Sequence, residues 1–123
     1  MTHFSETKQV YWIITGEINP GQEAAFSAIC ARLVESTKAE PGALNYEWSI
    51  AENSRAFHIY ERYVDSAAVM FHRANVGEML KELYAVATAK SFTLYGSPSD
   101  ELKQLLAIRH PLVMIPHNGF NRT

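Results

Sequence analysis

The chain has 123 residues, of which 47% are hydrophobic and 20% charged, and its formal net charge is −2. This length suits one domain with a hydrophobic core and is too short for two ordinary domains. The chain has no excess of basic residues, so we do not expect it to bind nucleic acid. The longest apolar runs are too short to cross a bilayer and the first residues lack a signal-peptide pattern, so we expect a cytoplasmic protein that does not bind membranes.

The first half of the chain predicts three strands and a helix. Residues 1–9 are polar, and we expect them to form a flexible terminus. Residues 10–18 alternate as a strand does, and Asn19-Pro20-Gly21-Gln22 then predicts a helix that begins with Asn19 as the N-cap and runs to about residue 39. Residues 43–52 alternate again, and a turn at Asn53-Ser54 leads into the next strand, which predicts an antiparallel hairpin.

The second half predicts helix, strand and an extension. Asp65 or Ser66 caps a helical region, which we expect in two pieces with a break near residues 75–77. Residues 90–96 follow as a core strand, and residues 97–101 begin a further short helix. The apolar segment 110–116, bounded by prolines, is expected to pack on a sheet edge or on a partner chain.

This order predicts an α+β, ferredoxin-like split βαβ fold, with a four-stranded antiparallel sheet and helices on one face. The opposite face carries a mixed, partly apolar surface made of Tyr11, Ile13, His58 and Tyr60. A second copy packed sheet against sheet would cover it, so we expect a homodimer. The domain organisation is a terminus (1–9), one domain (10–96) and a C-terminal extension (97–123) that packs on the domain or on the partner.

The stretch from Phe57 to Asn75 carries most of the chemistry. Its strand places Glu61 on the face with the larger apolar side chains, and its helix brings His72 back over the sheet. Other roles remain open: His72 as a partly buried structural histidine, and Glu61 as an ion-pair partner of an arginine or a dimer contact. Cys30 lies on an apolar helix stripe, which favours a structural thiol over a nucleophile.

Cofactor signals are weak elsewhere. The single cysteine excludes a multi-cysteine zinc site, and His3, His110 and His117 form no recognisable ligand set. The glycines form no phosphate-binding loop, which disfavours nucleotide cofactors. We therefore expect neither a metal nor a cofactor.

Residues 40–46 (Glu-Pro-Gly-Ala-Leu-Asn-Tyr), followed by Tyr60-Glu61-Arg62-Tyr63 with Asp65 and His72, resemble the antibiotic biosynthesis monooxygenase family. The resemblance covers roughly residues 10–96 and implies the dimeric α+β barrel in which its members pair. Known activities include oxygenation of polyketide quinols and anthrones without metal or flavin, while related branches degrade haem or isomerise small molecules. The positions that matter for haem degradation hold Ile14, His72 and Glu82 here, so that activity is not expected.

The resemblance implies a cofactor-independent monooxygenase that combines dioxygen with a small electron-rich aromatic, such as a quinol or anthrone. Such a reaction needs a base, an apolar pocket and a donor to the developing oxyanion. It implies His72, Glu61 and Tyr46 as catalytic residues. The expected substrate-binding residues are Trp48, Tyr63, Phe71, Trp12 and Ile14.

Two other functions fit the same residues. The chain could be a dimeric small-molecule binding protein without turnover, or an isomerase or lyase that uses His72 and Glu61 without oxygen. Whether His72 and Glu61 reach a shared cavity separates an enzyme from an inert scaffold, and the need for dioxygen separates the two enzymes.

Overall fold

The computed structural model describes residues 8–122. Most of the predicted flexible terminus (1–9) therefore lies outside the described residues. Gln9, at its end, is held in place: its carbonyl accepts from the Ser97 backbone N–H at 2.9 Å, and its side chain accepts from Arg62 at 2.9 Å.

Five strands and three helices follow in the order β1 (Val10–Ile18), α1 (Glu23–Lys38), β2 (Ala43–Ile50), β3 (Ala56–Tyr63), α2 (Ser66–Val86), β4 (Ala87–Gly96), α3 (Asp100–Leu106) and β5 (Leu112–Val113). A short 3₁₀ turn, Ala107–Arg109, links α3 to the last strand. The strands form one sheet in the order β2-β3-β1-β4-β5. The first four are antiparallel and β5 runs parallel to β4, so the predicted ferredoxin-like fold is confirmed, with one short strand added at an edge.

The core lies between one face of the sheet and helices α1 and α2. Alternation in β1 buries every second residue against the helices: Val10, Trp12, Ile14 and Ile18. The helices contribute Phe26, Leu33, Val69, Val76 and Leu83, each at most 1% exposed. Burying one such side chain contributes about 1.5–3 kcal/mol. On the opposite face Tyr11, Ile13 and Tyr60 are half-buried and His58 is exposed.

The predicted start of α1 at Asn19 is wrong. The Asn19 carbonyl accepts from the Gln22 backbone N–H at 3.0 Å, and Gly21 has φ +79°. These residues therefore make a tight turn that requires glycine, and the helix begins at Glu23. The Asn19 side chain instead accepts a hydrogen bond from the Thr88 hydroxyl at 2.9 Å.

The predicted break in α2 is also wrong, because the helix is continuous from Ser66 to Val86. Asp65 caps it as expected, accepting from the Ala68 backbone N–H at 2.8 Å. A glycine inside a helix costs about 1 kcal/mol, which the burial of Val76 and Leu83 on either side of Gly77 outweighs.

The C-terminal extension packs on the domain core. Ser99 caps α3 by accepting from the Leu102 N–H at 3.1 Å, and Leu102 and Leu106 are 0% and 2% exposed. The apolar segment pairs with the β4 edge, where the Met114 N–H donates to the Leu94 carbonyl at 2.8 Å. In the described part of the chain, none of the helices has the length and apolar character required to span a membrane.

Candidate active site

A cavity of about 360 Å³ lies between the sheet and α2. The sheet lines it with Trp12, Ile14, Tyr46, Ile59, Glu61 and Phe92. Helix α2 adds His72, Arg73, Gly77, Leu80, Lys81 and Tyr84, and the extension closes one side with Leu106 and Arg109. The wall is thus mostly apolar and aromatic, with few polar groups, as ligand sites usually are.

Strand pairing brings Trp12, Glu61 and Tyr46 into one row on the inner face of the sheet. Alternation in β3 turns Glu61 inward between Ile59 and Tyr63, and the register sets Trp12 of β1 opposite it on one side. Tyr46 of β2 lies opposite Glu61 on the other side. Helical spacing places His72 on the buried face of α2 with Val69 and Val76, directly over this row.

His72 bridges two buried carboxylates. Its Nδ1 lies 3.0 and 3.1 Å from the two carboxylate oxygens of Glu40, and its Nε2 lies 3.5 Å from Oε1 of Glu61. The three residues are 3%, 5% and 4% exposed, respectively. An ionised carboxylate only accepts hydrogen bonds, so we assign a proton to Nδ1, which leaves the Nε2 lone pair on the side of Glu61.

Glu40 is the functional residue that the sequence analysis missed. It follows the end of α1, where its carboxylate also accepts from the Asn75 side chain at 2.8 Å. A carboxylate just beyond a helix C-terminus opposes the helix dipole. That local conflict, and the place of Glu40 at the start of the motif 40–46, are its sequence signals.

The pKa of the Glu61 carboxyl is raised above its ordinary range. Burial is the largest effect and raises its pKa, whereas His72 and the Tyr63 hydroxyl, which donates to Oε1 at 2.6 Å, act in the opposite direction. The alternative of an arginine ion pair is wrong for the described residues. Arg32 pairs with Glu82 at 2.8 Å, and Arg55 donates to the Ile18 carbonyl at 3.0 Å.

Two tyrosine rings pack against the imidazole, and one of them, Tyr63, donates a hydrogen bond to Glu61. Their ring centroids lie 5.4 Å (Tyr46) and 5.1 Å (Tyr63) from that of His72. Burial first, and the charge of Glu61 second, raises the pKa of both phenols. Both hydroxyls therefore stay protonated near neutral pH.

The structure separates the expected substrate-binding residues into two groups. Trp12 and Ile14 line the cavity, and the Trp12 indole N–H is buried without a hydrogen bond of normal geometry, although it lies close enough to Glu61 to favour its ionised form. Tyr63, Trp48 and Phe71 do not line it. Tyr63 is fully buried behind Glu61, Trp48 packs against the core rings of Phe26 and Phe57, and Phe71 is 59% exposed.

Several lining residues were not foreseen. Arg73, Gly77, Leu80 and Tyr84 follow at helical spacing beside His72, so the period of α2 contained this signal. Arg109 reaches the cavity only because the extension folds back, which no local pattern indicates. Within residues 8–122, no three His, Cys, Asp or Glu side chains form a group suited to a metal ion.

Comparison with known proteins shows which family and which solved structures the chain is similar to. The family model "Antibiotic biosynthesis monooxygenase" matches residues 10–81. MupZ from Pseudomonas fluorescens is 29% identical, with a TM-score of 0.83 over 94% of this chain and 95% of that one. SnoaB, a cofactor-independent oxygenase from Streptomyces nogalater, is 17% identical, with a TM-score of 0.63 over 75% and 95% of the two chains.

A third structure, Rv0793 from Mycobacterium tuberculosis, is 21% identical, with a TM-score of 0.64 over 75% of this chain and 96% of that one. The MupZ match covers 94% of the chain and therefore includes most of the C-terminal extension, whereas the other two cover 75%. No curated protein sequence matches the chain significantly. Since the family model spans more than half of its length, the chain belongs to the antibiotic biosynthesis monooxygenase family.

Proposed function

We propose that the protein is an acid–base enzyme that oxygenates a small electron-rich aromatic molecule without a metal or flavin. The observation that carries the proposal is the buried row of Glu40, His72 and Glu61 beside an aromatic-lined cavity. A buried titratable row that opens on an apolar cavity is typical of acid–base sites.

His72 acts as the base. The Nδ1–H bond to Glu40 fixes the ring and stabilises the imidazolium that forms when Nε2 takes a proton from the substrate. An anthrone-like methylene then becomes a delocalised carbanion, which transfers electrons to dioxygen. Carbon–oxygen bond formation gives a hydroperoxide, and its loss of water leaves a carbonyl, so one substrate CH₂ and one O₂ yield C=O and H₂O.

Glu61 and Tyr46 assist the oxygen chemistry. The raised pKa of Glu61 makes its carboxyl a proton source for the departing hydroxide of the hydroperoxide. The phenol of Tyr46 stays protonated and donates to the oxyanion of the substrate. Trp12 and Phe92 pack edge to face at 5.6 Å and wall the planar ring of the substrate.

The proposal includes a homodimer that packs sheet against sheet. Its support is the half-buried, aromatic outer face of the sheet, where Tyr11 and Tyr95 stack with ring centroids 5.4 Å apart. The division at residue 96, with residues 97–123 as an extension, belongs to the same proposal.

One observation favours a second candidate, an isomerase or lyase that needs no dioxygen. The site pairs a base, His72, with a carboxyl whose pKa is raised, and an isomerase or lyase would use both groups without dioxygen. Such a pair can remove a proton from one atom of a substrate and return one to another. A binding protein without turnover would have no use for either group.

The test is oxygen uptake with hydroquinones, anthrones and catechols by the wild type and by His72→Ala. The matched control is His117→Ala, which removes an exposed imidazole from the tail. The proposal expects uptake above autoxidation in the wild type and in the control, and none in His72→Ala. Substrate conversion without oxygen would favour the isomerase or lyase, and binding without conversion would favour the binding protein.

A further inference from the structure

The mouth of the cavity is cationic although the chain as a whole is acidic. Arg73, Lys81 and Arg109 line the cavity, where the only lining carboxylate is the buried Glu61, and Lys81 is paired with Glu78 at 3.2 Å. An adjoining groove of about 610 Å³ shares Ile14, Arg73, Phe92 and Arg109 with it and adds Lys90 and His110, with no acidic residue. The two spaces therefore form an apolar chamber that leads into a basic groove.

The two arginines at the junction keep their charge available. Within the part of the chain that the structure describes, neither Arg73 nor Arg109 lies within 4 Å of a carboxylate, whereas Arg32 is paired with Glu82. The Arg109 guanidinium packs over the rings of Tyr84 and Phe92, 5.4 and 5.9 Å from their centroids. Aromatic faces hold a guanidinium in place without neutralising it.

From this juxtaposition we propose that the substrate carries an oxyanion, a carboxylate or a phosphate, which Arg73 and Arg109 bind at the junction while its apolar part occupies the chamber beside His72. This inference rests on the assignment of the cavity as the substrate site. Guanidinium groups suit planar, bidentate recognition of both oxyanions. The groove beyond, with Lys90, accommodates the rest of an anionic arm.

The geometry also explains how an anion is tolerated near Glu61. Binding at the junction places the negative charge beside two cations. The charge of Arg109 also favours the ionised form of Glu61, so this guanidinium offsets the repulsion between the two anions. The anionic group thus fixes the orientation of the substrate, with its reactive end pointing inward.

The test compares three naphthalene probes by isothermal titration at pH 7.5: 2-naphthoate, 2-naphthyl phosphate and the neutral 2-naphthalenemethanol. The wild type is expected to bind at least one anion about tenfold more tightly than the alcohol, with an affinity that falls as salt is added. Preference for naphthoate identifies a carboxylate, and preference for the phosphate identifies a phosphorylated arm.

Variants locate the effect. Arg73→Gln and Arg109→Gln are each expected to remove most of the preference for the anion and leave the affinity for the alcohol unchanged, and Arg109→Lys is expected to restore part of it. The matched control Arg32→Gln, which removes an arginine from the surface pair with Glu82, is expected to behave as the wild type. Equal affinity for anion and alcohol, no measurable binding of either, or a preference that survives both glutamine variants would overturn the inference.

These experiments can refute the oxyanion site and the proposed enzyme activity independently of each other. A preference for the anion without turnover of any substrate would keep the oxyanion site and remove the proposed enzyme. Turnover of neutral substrates by a protein that shows no such preference would keep the enzyme and remove the oxyanion site.

Discussion

Replacing Glu40 tests whether it acts as the partner that orients His72. Its carboxylate accepts from His72 at 3.0 Å and from Asn75 at 2.8 Å while only 5% exposed. Glu40→Ala leaves the buried Nδ1–H of His72 without its acceptor, whereas the exposed Asn75 amide keeps the Ser36 hydroxyl. Leaving a buried donor without an acceptor costs about 1–3 kcal/mol, a sizeable share of a typical domain stability of about 5–15 kcal/mol.

Glu40→Gln separates stability from catalysis. The Asn75 amide also donates to the Ser36 hydroxyl at 3.0 Å, so its orientation is fixed and the glutamine oxygen must stay on its side. That oxygen also lies 3.0 Å from Nδ1 of His72, so the glutamine oxygen still accepts from Nδ1 but carries no negative charge. We expect this variant to lose only about 1–2 kcal/mol of stability but to lose turnover about 10–100-fold, because a neutral amide does not stabilise the imidazolium.

Urea unfolding followed by tryptophan fluorescence measures the loss of stability in Glu40→Ala, because Trp12 is buried and Trp48 is half-buried in the folded chain. With a slope of about 1–3 kcal/mol per molar urea, Glu40→Ala should lower the midpoint by about 1 M. The control is Glu35→Ala, an exposed glutamate of α1, which should change stability by less than about 0.5 kcal/mol. Equal midpoints for Glu40→Ala and Glu35→Ala, or full turnover in Glu40→Gln, would refute the reasoning.

Three further predictions follow from single groups. Burial raises the pKa of Glu61 above its ordinary value of 4.5, so the folded state binds this proton more tightly than the unfolded state does. The stability that the protonated carboxyl contributes is lost as pH rises through the folded-state pKa. In urea titrations above pH 4.5, Glu61→Gln should therefore gain stability relative to the wild type, and a difference that shrinks with pH would contradict this. Gly16→Ala would place a Cβ 2.6 Å from the Thr88 carbonyl and should lower the melting temperature, whereas Gly77→Ala, with nothing within 4 Å, should raise it. Burial also raises the pKa of Cys30, so its alkylation at pH 8 should be slower than that of a free cysteine, and an equal rate would oppose this.

The fold was predictable because its signals are local and periodic. The period of two in β1 and β3 placed Trp12 and Glu61 on the inner face, and the helical period of α2 placed His72 there with Val69. The errors at Asn19 and Gly77 have different causes. The positive φ of Gly21 makes a turn where the pattern predicted a helix start, and at Gly77 the burial of neighbouring residues on α2 keeps the helix continuous.

The site was only partly predictable because it depends on contacts between distant segments. Glu40 and His72 are separated by 32 positions and meet only after α1 and α2 pack together. The alternation in β2 correctly predicted that Trp48 faces the helices. Whether such a ring packs in the core or lines a cavity depends on its neighbours, which are Phe26 and Phe57 here. The aromatic character of Phe71 suggested a pocket wall, yet its position on α2 points it away from the sheet.

The proposed acid–base row and the residues that shape the cavity lie in different parts of the chain. The row, from Glu40 to His72, lies inside the segment 10–81 that matches the family model. Tyr84, Phe92, Leu106 and Arg109, which shape and charge the cavity, all lie beyond it. Because the extension supplies part of the wall and one of the two junction arginines, residues after 81 can change what is bound while leaving the acid–base row intact. The proposed chemistry and the proposed oxyanion selectivity are therefore separable, and relatives that differ in the extension should differ in substrate before they differ in mechanism.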